Sequence, residues 1–292
     1  MKKVKKAVIP VAGMGTRFLP ITKAVPKELL PIATKPTLQI VIEEAHRSGI
    51  EEVVLVTSPD KTQIEDFFKT DTIYDRKLKA AGKDGLLAEL YSLLNDVKIT
   101  IAFQKEPKGL GHAILCANDA VGDEPFIVIL PDVLIESQIP CCKQLIDIFE
   151  ETECAVNATE HSPMTHVHMY GIYDIARSQG KLHYAKGVVE KPSAKEAPSD
   201  LSVVGRYLFP SDLFKILEKT PPGKNDEIQL TDGMNALAKE ERMIAYEYEG
   251  MQFDTGDPAG FLKANLFYGY KKYGKEIESF MDEVIGHGKS MV

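Results

Sequence analysis

Short apolar runs punctuate the first half of the chain at Ala7–Val11, Val53–Val56, Val97–Phe103 and Phe126–Leu130. They are rich in β-branched residues and brief, the pattern of strands buried in a parallel sheet. Longer stretches with helical spacing lie between or after them: Thr37–Ser48, Lys61–Phe68, Leu86–Leu94 and Ala113–Ala120. Strand and helix alternating in this way imply a parallel sheet with helices on both faces. The segment from Asp71 to Lys83 is charged and irregular, and reads as a surface excursion.

The second half changes style. Ala155–Thr159, Gly171–Tyr173, Gly187–Glu190, Val203–Phe209 and Ile244–Tyr248 read as strands, with Ser211–Leu217 and Glu227–Ala238 as helices. These extend the same core as a mixed sheet. Pro258–Tyr273 reads as a helix with Leu262, Leu266 and Phe267 at helical spacing, and Gly286 to Val292 reads as disordered. Ser193–Asp200, rich in Pro, Ala and charge, is an expected exposed loop. The expected organisation is one domain over residues 1–273 with a tail over 274–292. Residues 1–135 form its first half, 136–257 its second half and 258–273 its last helix.

Composition narrows the function classes. The 292 residues are 44% hydrophobic and 27% charged, ordinary for a soluble globular protein. A net charge of −8 argues against a non-specific nucleic-acid binder. No apolar run reaches the length of a membrane span, and the start MKKVKK leads into a short strand rather than a secretion signal. The four cysteines include the adjacent pair Cys141-Cys142 and no C-x-x-C, which suits reduced thiols in a cytoplasm.

The chemistry is concentrated after the first strand, where Ala12-Gly13-Met14-Gly15-Thr16-Arg17 is followed ten residues later by Lys27. A strand ending in a glycine-rich loop offers backbone N–H groups to phosphate, and Arg17 and Lys27 add fixed positive charge. The loop is not a dinucleotide fingerprint, because Phe18 occupies the third glycine position. Nor is it a Walker A loop, since no Gly-Lys-Ser/Thr follows. Sites in open α/β sheets form beyond the carboxyl ends of the strands. The other residues expected there are Gln104 to His112, Pro131-Asp132, Glu190-Lys191-Pro192 and Phe253-Asp254-Thr255-Gly256-Asp257. Asp132 and Asp254 are hard oxygen donors of the kind Mg²⁺ prefers. His161, His166 and His168 fit no helix face and have no cysteine beside them, which speaks against zinc.

The whole stretch AVIPVAGMGTRFLPITKAVPKELLPIATKP resembles the signature of the sugar-nucleotide pyrophosphorylases, and its Thr22-Lys23 and Pro26-Lys27-Glu28 wording resembles their UTP–glucose-1-phosphate uridylyltransferase branch. The resemblance runs from Lys3 to about Tyr273, and implies that residues 1–135 are mainly the nucleotide-binding half and 136–257 mainly the sugar-phosphate-binding half. It implies an α/β, Rossmann-like, glycosyltransferase-A-like core with a mixed, mainly parallel central sheet flanked by helices. It implies transfer of UMP from UTP to α-D-glucose 1-phosphate, with Mg²⁺ and without a covalent intermediate. On this reading Ala12, Gly13, Gly15, Thr16, Glu28, Gln104 and Gly109 bind the nucleotide. Gly171, Glu190 and Lys191 bind the sugar phosphate, Arg17, Lys27 and Lys191 are catalytic, and Asp132 and Asp254 hold the metal. A homodimer or homotetramer is also implied; Phe261, Phe267, Tyr268 and Tyr270 read either as its contact surface or as ordinary core. Two other readings stay open: the same chemistry on another nucleotide or sugar, such as thymidylyl transfer, and a non-catalytic regulatory relative. Phe103, Val133 and Asn225-Asp226 depart from the commonest wording of the family, and Val133 directly follows the expected metal ligand.

Overall fold

The computed structural model describes residues 3–223 and 226–291; Asn225 lies outside them. In chain order the first half contains β1 (Lys6–Pro10), β2 (Pro31–Ile32), β3 (Lys35–Pro36), α1 (Thr37–Arg47), β4 (Glu52–Thr57), α2 (Thr62–Phe67), α3 (Ile73–Ala80) and α4 (Ala88–Asp96). It continues with β5 (Lys98–Phe103), α5 (Leu110–Leu115), α6 (Asn118–Val121), β6 (Phe126–Ile129), β7 (Val133–Glu136) and α7 (Cys141–Thr152). The second half adds β8 (Ala155–His161), β9 (Gly171–Gln179), β10 (Leu182–Glu190), β11 (Leu201–Phe209), α8 (Leu213–Lys219) and α9 (Leu230–Lys239). It ends with β12 (Met243–Glu247), β13 (Met251–Asp254), α10 (Pro258–Tyr273) and α11 (Lys275–Met291).

One nine-stranded sheet in the order β5-β4-β1-β6-β11-β8-β12-β10-β9 forms the centre. It is parallel across β5, β4, β1 and β6, and antiparallel where β11 joins β6 and β8. Successive side chains on a strand face opposite ways, and the core follows that rule. Ala7, Ile9, Val53 and Leu55 pack on one face with α1 and α7, while Val8, Val54 and Val56 pack on the other with α5, α8 and α9. Both faces are covered, as the unbroken apolar strands of the first half require.

Several expectations change. The excursion at 71–83 contains α3, started by a capping box in which Asp75 N–H donates to Thr72 Oγ1 and Thr72 N–H donates to Asp75 Oδ2. Its side chains stay exposed or half-exposed, so it lacks the apolar stripe by which a helix is usually read. The helix expected over Ala113–Ala120 is two shorter ones, α5 and α6. Segment 274–292, expected as a tail, is helical over Lys275–Met291. Strands β7 and β13 form a separate antiparallel ribbon, with Asp254 opposite Val133. The ribbon positions the site, because it brings two strand ends 121 residues apart in sequence, Val133 and Asp254, to one place.

Candidate active site

The loop after β1 is built by short-range constraints. Gly15 sits at φ +67°, and a Cβ there would lie 3.1 Å from Lys27 Cβ, so the turn needs glycine. Thr22 Oγ1 donates to Gly15 O at 2.9 Å. Phe18, the residue that breaks the dinucleotide pattern, packs its ring edge against Phe261 of α10. Ala12 is half-buried and Gly13 and Thr16 are exposed, so the loop backbone faces solvent. Lys61, just beyond β4, donates to Val11 O at 2.6 Å, Gly13 O at 2.7 Å and Glu28 Oε2 at 2.9 Å. Glu28, expected at the nucleotide, is 2% exposed and reaches the loop through Lys61. Burial raises its carboxyl above the ordinary value, with Lys61 pulling it back.

Asp132 and Asp254 come together at the open end of the β7–β13 ribbon. A Cβ on Gly256 would lie 2.9 Å from Asp254 Oδ1 and 3.1 Å from Asp132 Oδ2, so both carboxylates face one point. Thr255 donates to Asp132 O from its backbone N–H at 2.7 Å and from its hydroxyl at 2.9 Å. Gly256 N–H donates to Asp254 Oδ1 at 2.8 Å. Burial raises the Asp254 carboxyl, the Gly256 N–H opposes this, and the charge on Asp132 adds to it. Lys27 Nζ lies 2.6 Å from Asp132 Oδ2 and Arg17 donates to Gly256 O at 3.3 Å. Burial lowers the Lys27 ammonium, but Asp132 outweighs it and holds the lysine above its ordinary value. Two converging carboxylates are hard oxygen donors of the kind that fit a divalent cation, and Lys27 offsets one of their two charges.

A cleft of about 350 Å³ opens from this point and is lined by Arg17, Asp132, Val133, Gly171, Glu190, Lys191 and Asp254. Glu190 pairs with Gly171 at the ends of β10 and β9. In a continuing strand Glu190 and Lys191 would face opposite sides. Lys191 instead adopts φ +48° and its N–H donates to Tyr170 O at 2.9 Å, and this turn lets both side chains line the cleft. Gln104 and Gly109 meet at the ends of β5 and the following loop, where Gln104 Nε2 donates to Gly109 O at 3.1 Å. Gly109, at φ +93°, tolerates no side chain because a Cβ would lie 2.8 Å from Ile228 O. Phe103 is 47% exposed beside it. His161 pairs with Asp200 and Glu247, and no group of three or more metal-ligating side chains is found among the described residues.

Sequence reasoning missed the support behind the carboxylates. Arg206 is fully buried in β11 and binds Glu44 of α1 through Nη2 at 2.7 Å and Nε at 3.1 and 3.2 Å. It also donates to Leu130 O at 3.3 Å and Val133 O at 2.8 Å, the carbonyls on either side of Pro131-Asp132. The available signal was a lone arginine in the apolar run Val203–Phe209, with Glu44 on the apolar face of α1. Tyr207, next to Arg206, lines the cleft with its hydroxyl raised by burial and by the charges of Glu190 and Asp132. A larger hollow of about 670 Å³ between α1, α4, α10 and β7 holds none of the expected site residues. Its lysines are already engaged, Lys35 by Glu43 and Glu89, Lys271 by Glu136 and Lys272 by Thr34 Oγ1.

The chain is similar to known proteins along nearly its whole length. The nucleotidyl transferase family profile matches residues 6–271. A UTP–glucose-1-phosphate uridylyltransferase of Bacillus subtilis is 42% identical over 287 residues, covering 98% of each chain. The enzyme of the same name from Staphylococcus haemolyticus is 42% identical over 286 residues, covering 97% of this chain and 99% of its own. The structure of a UTP-bound UGPase from Acinetobacter baumannii superposes with a TM-score of 0.89 at 40% identity, covering 96% of this chain and 99% of its own. A UDP-glucose pyrophosphorylase complexed with UDP-glucose gives 0.83 at 39% identity, covering 92% and 99%. With this match along nearly its whole length, the chain belongs to the nucleotidyl transferase family, alongside the UTP–glucose-1-phosphate uridylyltransferases.

Proposed function

We propose that the protein transfers UMP from UTP to α-D-glucose 1-phosphate, giving UDP-glucose and pyrophosphate. The observation that carries this reading is the convergence of Asp132 and Asp254 on one point, with Lys27 on Asp132 and the Glu190-Lys191 cleft beside them. Relatives at 42% identity bear the name of that activity, and related structures hold UTP and UDP-glucose.

The sugar phosphate oxygen attacks the α-phosphorus in line and pyrophosphate leaves, so no side chain needs to become a nucleophile. Catalysis is then positioning and charge neutralisation. The backbone of Ala12–Thr16 receives the phosphates, and Arg17 holds the leaving pyrophosphate. Lys27, displaced from Asp132 by substrate, and Lys191 draw the two reacting phosphates together. Glu190 accepts from sugar hydroxyls, and Gly171 leaves room for the ring. Asp132 and Asp254 are the residues that would hold Mg²⁺, which when bound offsets the negative charge of the phosphates.

The test is pyrophosphate release with UTP or dTTP against glucose, galactose and N-acetylglucosamine 1-phosphates. Mg²⁺-dependent release with UTP and glucose 1-phosphate supports the reading. Equal turnover with dTTP would move it to thymidylyl transfer, and silence with every pair would favour a non-catalytic relative.

Self-association as a homodimer or homotetramer through the C-terminal helices belongs to the same proposal. Of the four aromatics expected at the contact, Phe261, Phe267 and Tyr268 pack against rings of the chain itself, while Tyr270 is exposed. Leu262, Leu266, Tyr270 and Tyr273 form the exposed stripe of α10, and light scattering on a Leu266→Lys variant tests it. A cytoplasmic location is proposed on the four unpaired cysteines. No helix among the described residues is long and apolar enough to cross a membrane.

A further inference from the structure

Gln104 is 7% exposed at the end of β5, with its backbone N–H on Thr57 O at 2.8 Å. Its side-chain amide is held from two sides: Nε2 lies 3.1 Å from Gly109 O and 3.0 Å from His112 Nδ1. A carbonyl oxygen can only accept, so Gly109 decides which end of the amide faces the loop. The second amide hydrogen then goes to Nδ1, which must carry no proton. The ring hydrogen belongs on Nε2, 4.0 Å from Cys116 Sγ. Both hydrogens of the amide are thus used inside the protein. Among the described residues Gln104 Oε1 receives no hydrogen bond, and it is not sealed from solvent.

We infer that His112 is a positioning residue for base selection. By accepting from Gln104 it leaves Oε1 as the amide's only free group, an acceptor matched to the imide N3–H of uracil and not to the bare N3 of cytosine. The inference rests on Gln104 contacting the base within the transfer reaction proposed above. It asks nothing of His112 toward the substrate itself. Replacement of the acceptor at Nδ1 by a donor would set two donors face to face. The amide is then caught between Gly109 O, which takes only its NH₂ group, and the new donor, which takes only its oxygen, so Oε1 is no longer held toward the base.

The surroundings of His112 favour the accepting form. It shares a hollow of about 260 Å³ with Phe103, Lys105, Glu106, Lys108 and Cys116. Burial, and then the positive charge of Lys108, hold the imidazole below the ordinary 6.5, while Glu106 pulls the other way. The neutral ring therefore persists at neutral pH. Protonation at lower pH converts Nδ1 to a donor and removes the constraint on Gln104.

The test is steady-state pyrophosphate release by the full chain with UTP and with CTP, from about pH 5 to 8, in wild type, His112→Lys and His112→Asn. His112→Lys presents only donors. Its KM for UTP should rise about tenfold or more, its kcat should change less, and the UTP-over-CTP ratio of kcat/KM should fall by a similar factor. His112→Asn puts an amide oxygen near the place of Nδ1 and cannot titrate. It should restore most of the selectivity and remove the part of the acid-side rise in KM that is due to the protein. Ionisation of UTP itself contributes equally to both and cancels in the comparison.

An unchanged UTP-over-CTP ratio in folded His112→Lys overturns the inference. So do identical acid limbs in wild type and His112→Asn, a comparison that stands even where His112→Lys does not fold. Wild type that releases no pyrophosphate from UTP and glucose 1-phosphate would overturn the transfer reaction, a separate outcome.

Discussion

Removing Arg206 tests whether the buried ion pair is what fixes Asp132. Arg206→Ala leaves the Glu44 carboxylate, 4% exposed, without its cation. It also takes one donor from the carbonyls of Leu130, Val133 and Gly205, although Val133 N–H still donates to Leu130 O and Leu130 N–H to Gly205 O. Breaking a buried pair from one side costs about 3–5 kcal/mol. A domain of this kind has about 5–15 kcal/mol in all, so the variant should be marginal. Glu44→Leu with Arg206→Met removes both charges at once. What remains is the Val133 carbonyl that Arg206 had served and the Cys142 N–H that Glu44 had accepted, a cost of about 1–3 kcal/mol. Urea unfolding of the two singles and the double gives the coupling directly. Arg206→Ala within about 1 kcal/mol of wild type, or a double variant no better than the sum of its singles, would refute the argument.

The pH dependence has a definite sign. Burial alone would raise the Glu44 carboxyl, but Arg206 overrides it and holds the group below its ordinary 4.5. The stabilisation is therefore complete above pH 4.5 and is lost as pH falls through the lower folded value. In the double variant this acid-side loss should vanish. Arg206→Lys keeps the charge and loses the fork that spans the two carbonyls flanking Pro131-Asp132. It should lower kcat and raise the Mg²⁺ concentration for half-activation by more than its effect on stability would account for.

Other outcomes follow from the site. Asp132→Ala and Lys191→Ala should each lower kcat by about 10²-fold or more in the pyrophosphate assay, and near-normal turnover in either would remove its assigned role. Gly256→Ala should place a methyl group between the two carboxylates and cut activity at limiting Mg²⁺, with saturating Mg²⁺ restoring part of it. Gly109→Ala forces a Cβ against Ile228 O at a positive φ, so its KM for UTP should rise and its thermal midpoint fall. Cys141 and Cys142 are fully buried, and burial raises both thiols well above the ordinary value. Neither should react with a thiol reagent until the chain unfolds, which mass mapping of the labelled cysteines will read.

Most of the strands were legible because a strand buried on both faces has to be apolar at every position. Pro258–Tyr273 was read to the residue, since Asp257 caps it and Pro258 occupies its first turn. Helix α3 was not, because an exposed charged helix has no apolar stripe and its evidence is the short-range Thr72–Asp75 capping box. Ribbon β7–β13 escaped because its four-residue strands mix apolar and polar positions, too short for a period to emerge and without the unbroken apolar run that marks β6.

For the site, the residue types and their positions after strand ends carried the proposed chemistry: a glycine loop, cations, two hard carboxylates and an amide. Local sequence carries that information, since backbone conformation and side-chain charge are properties of a few neighbouring residues. Only the tertiary structure decided what meets what. It put Asp254 opposite Val133 and turned Lys191 so that it shares the cleft with Glu190. It also set Arg206 behind Asp132 and closed His112 onto Gln104. Those contacts join residues distant in sequence, and they are fixed by sheet order and packing, which no single segment encodes.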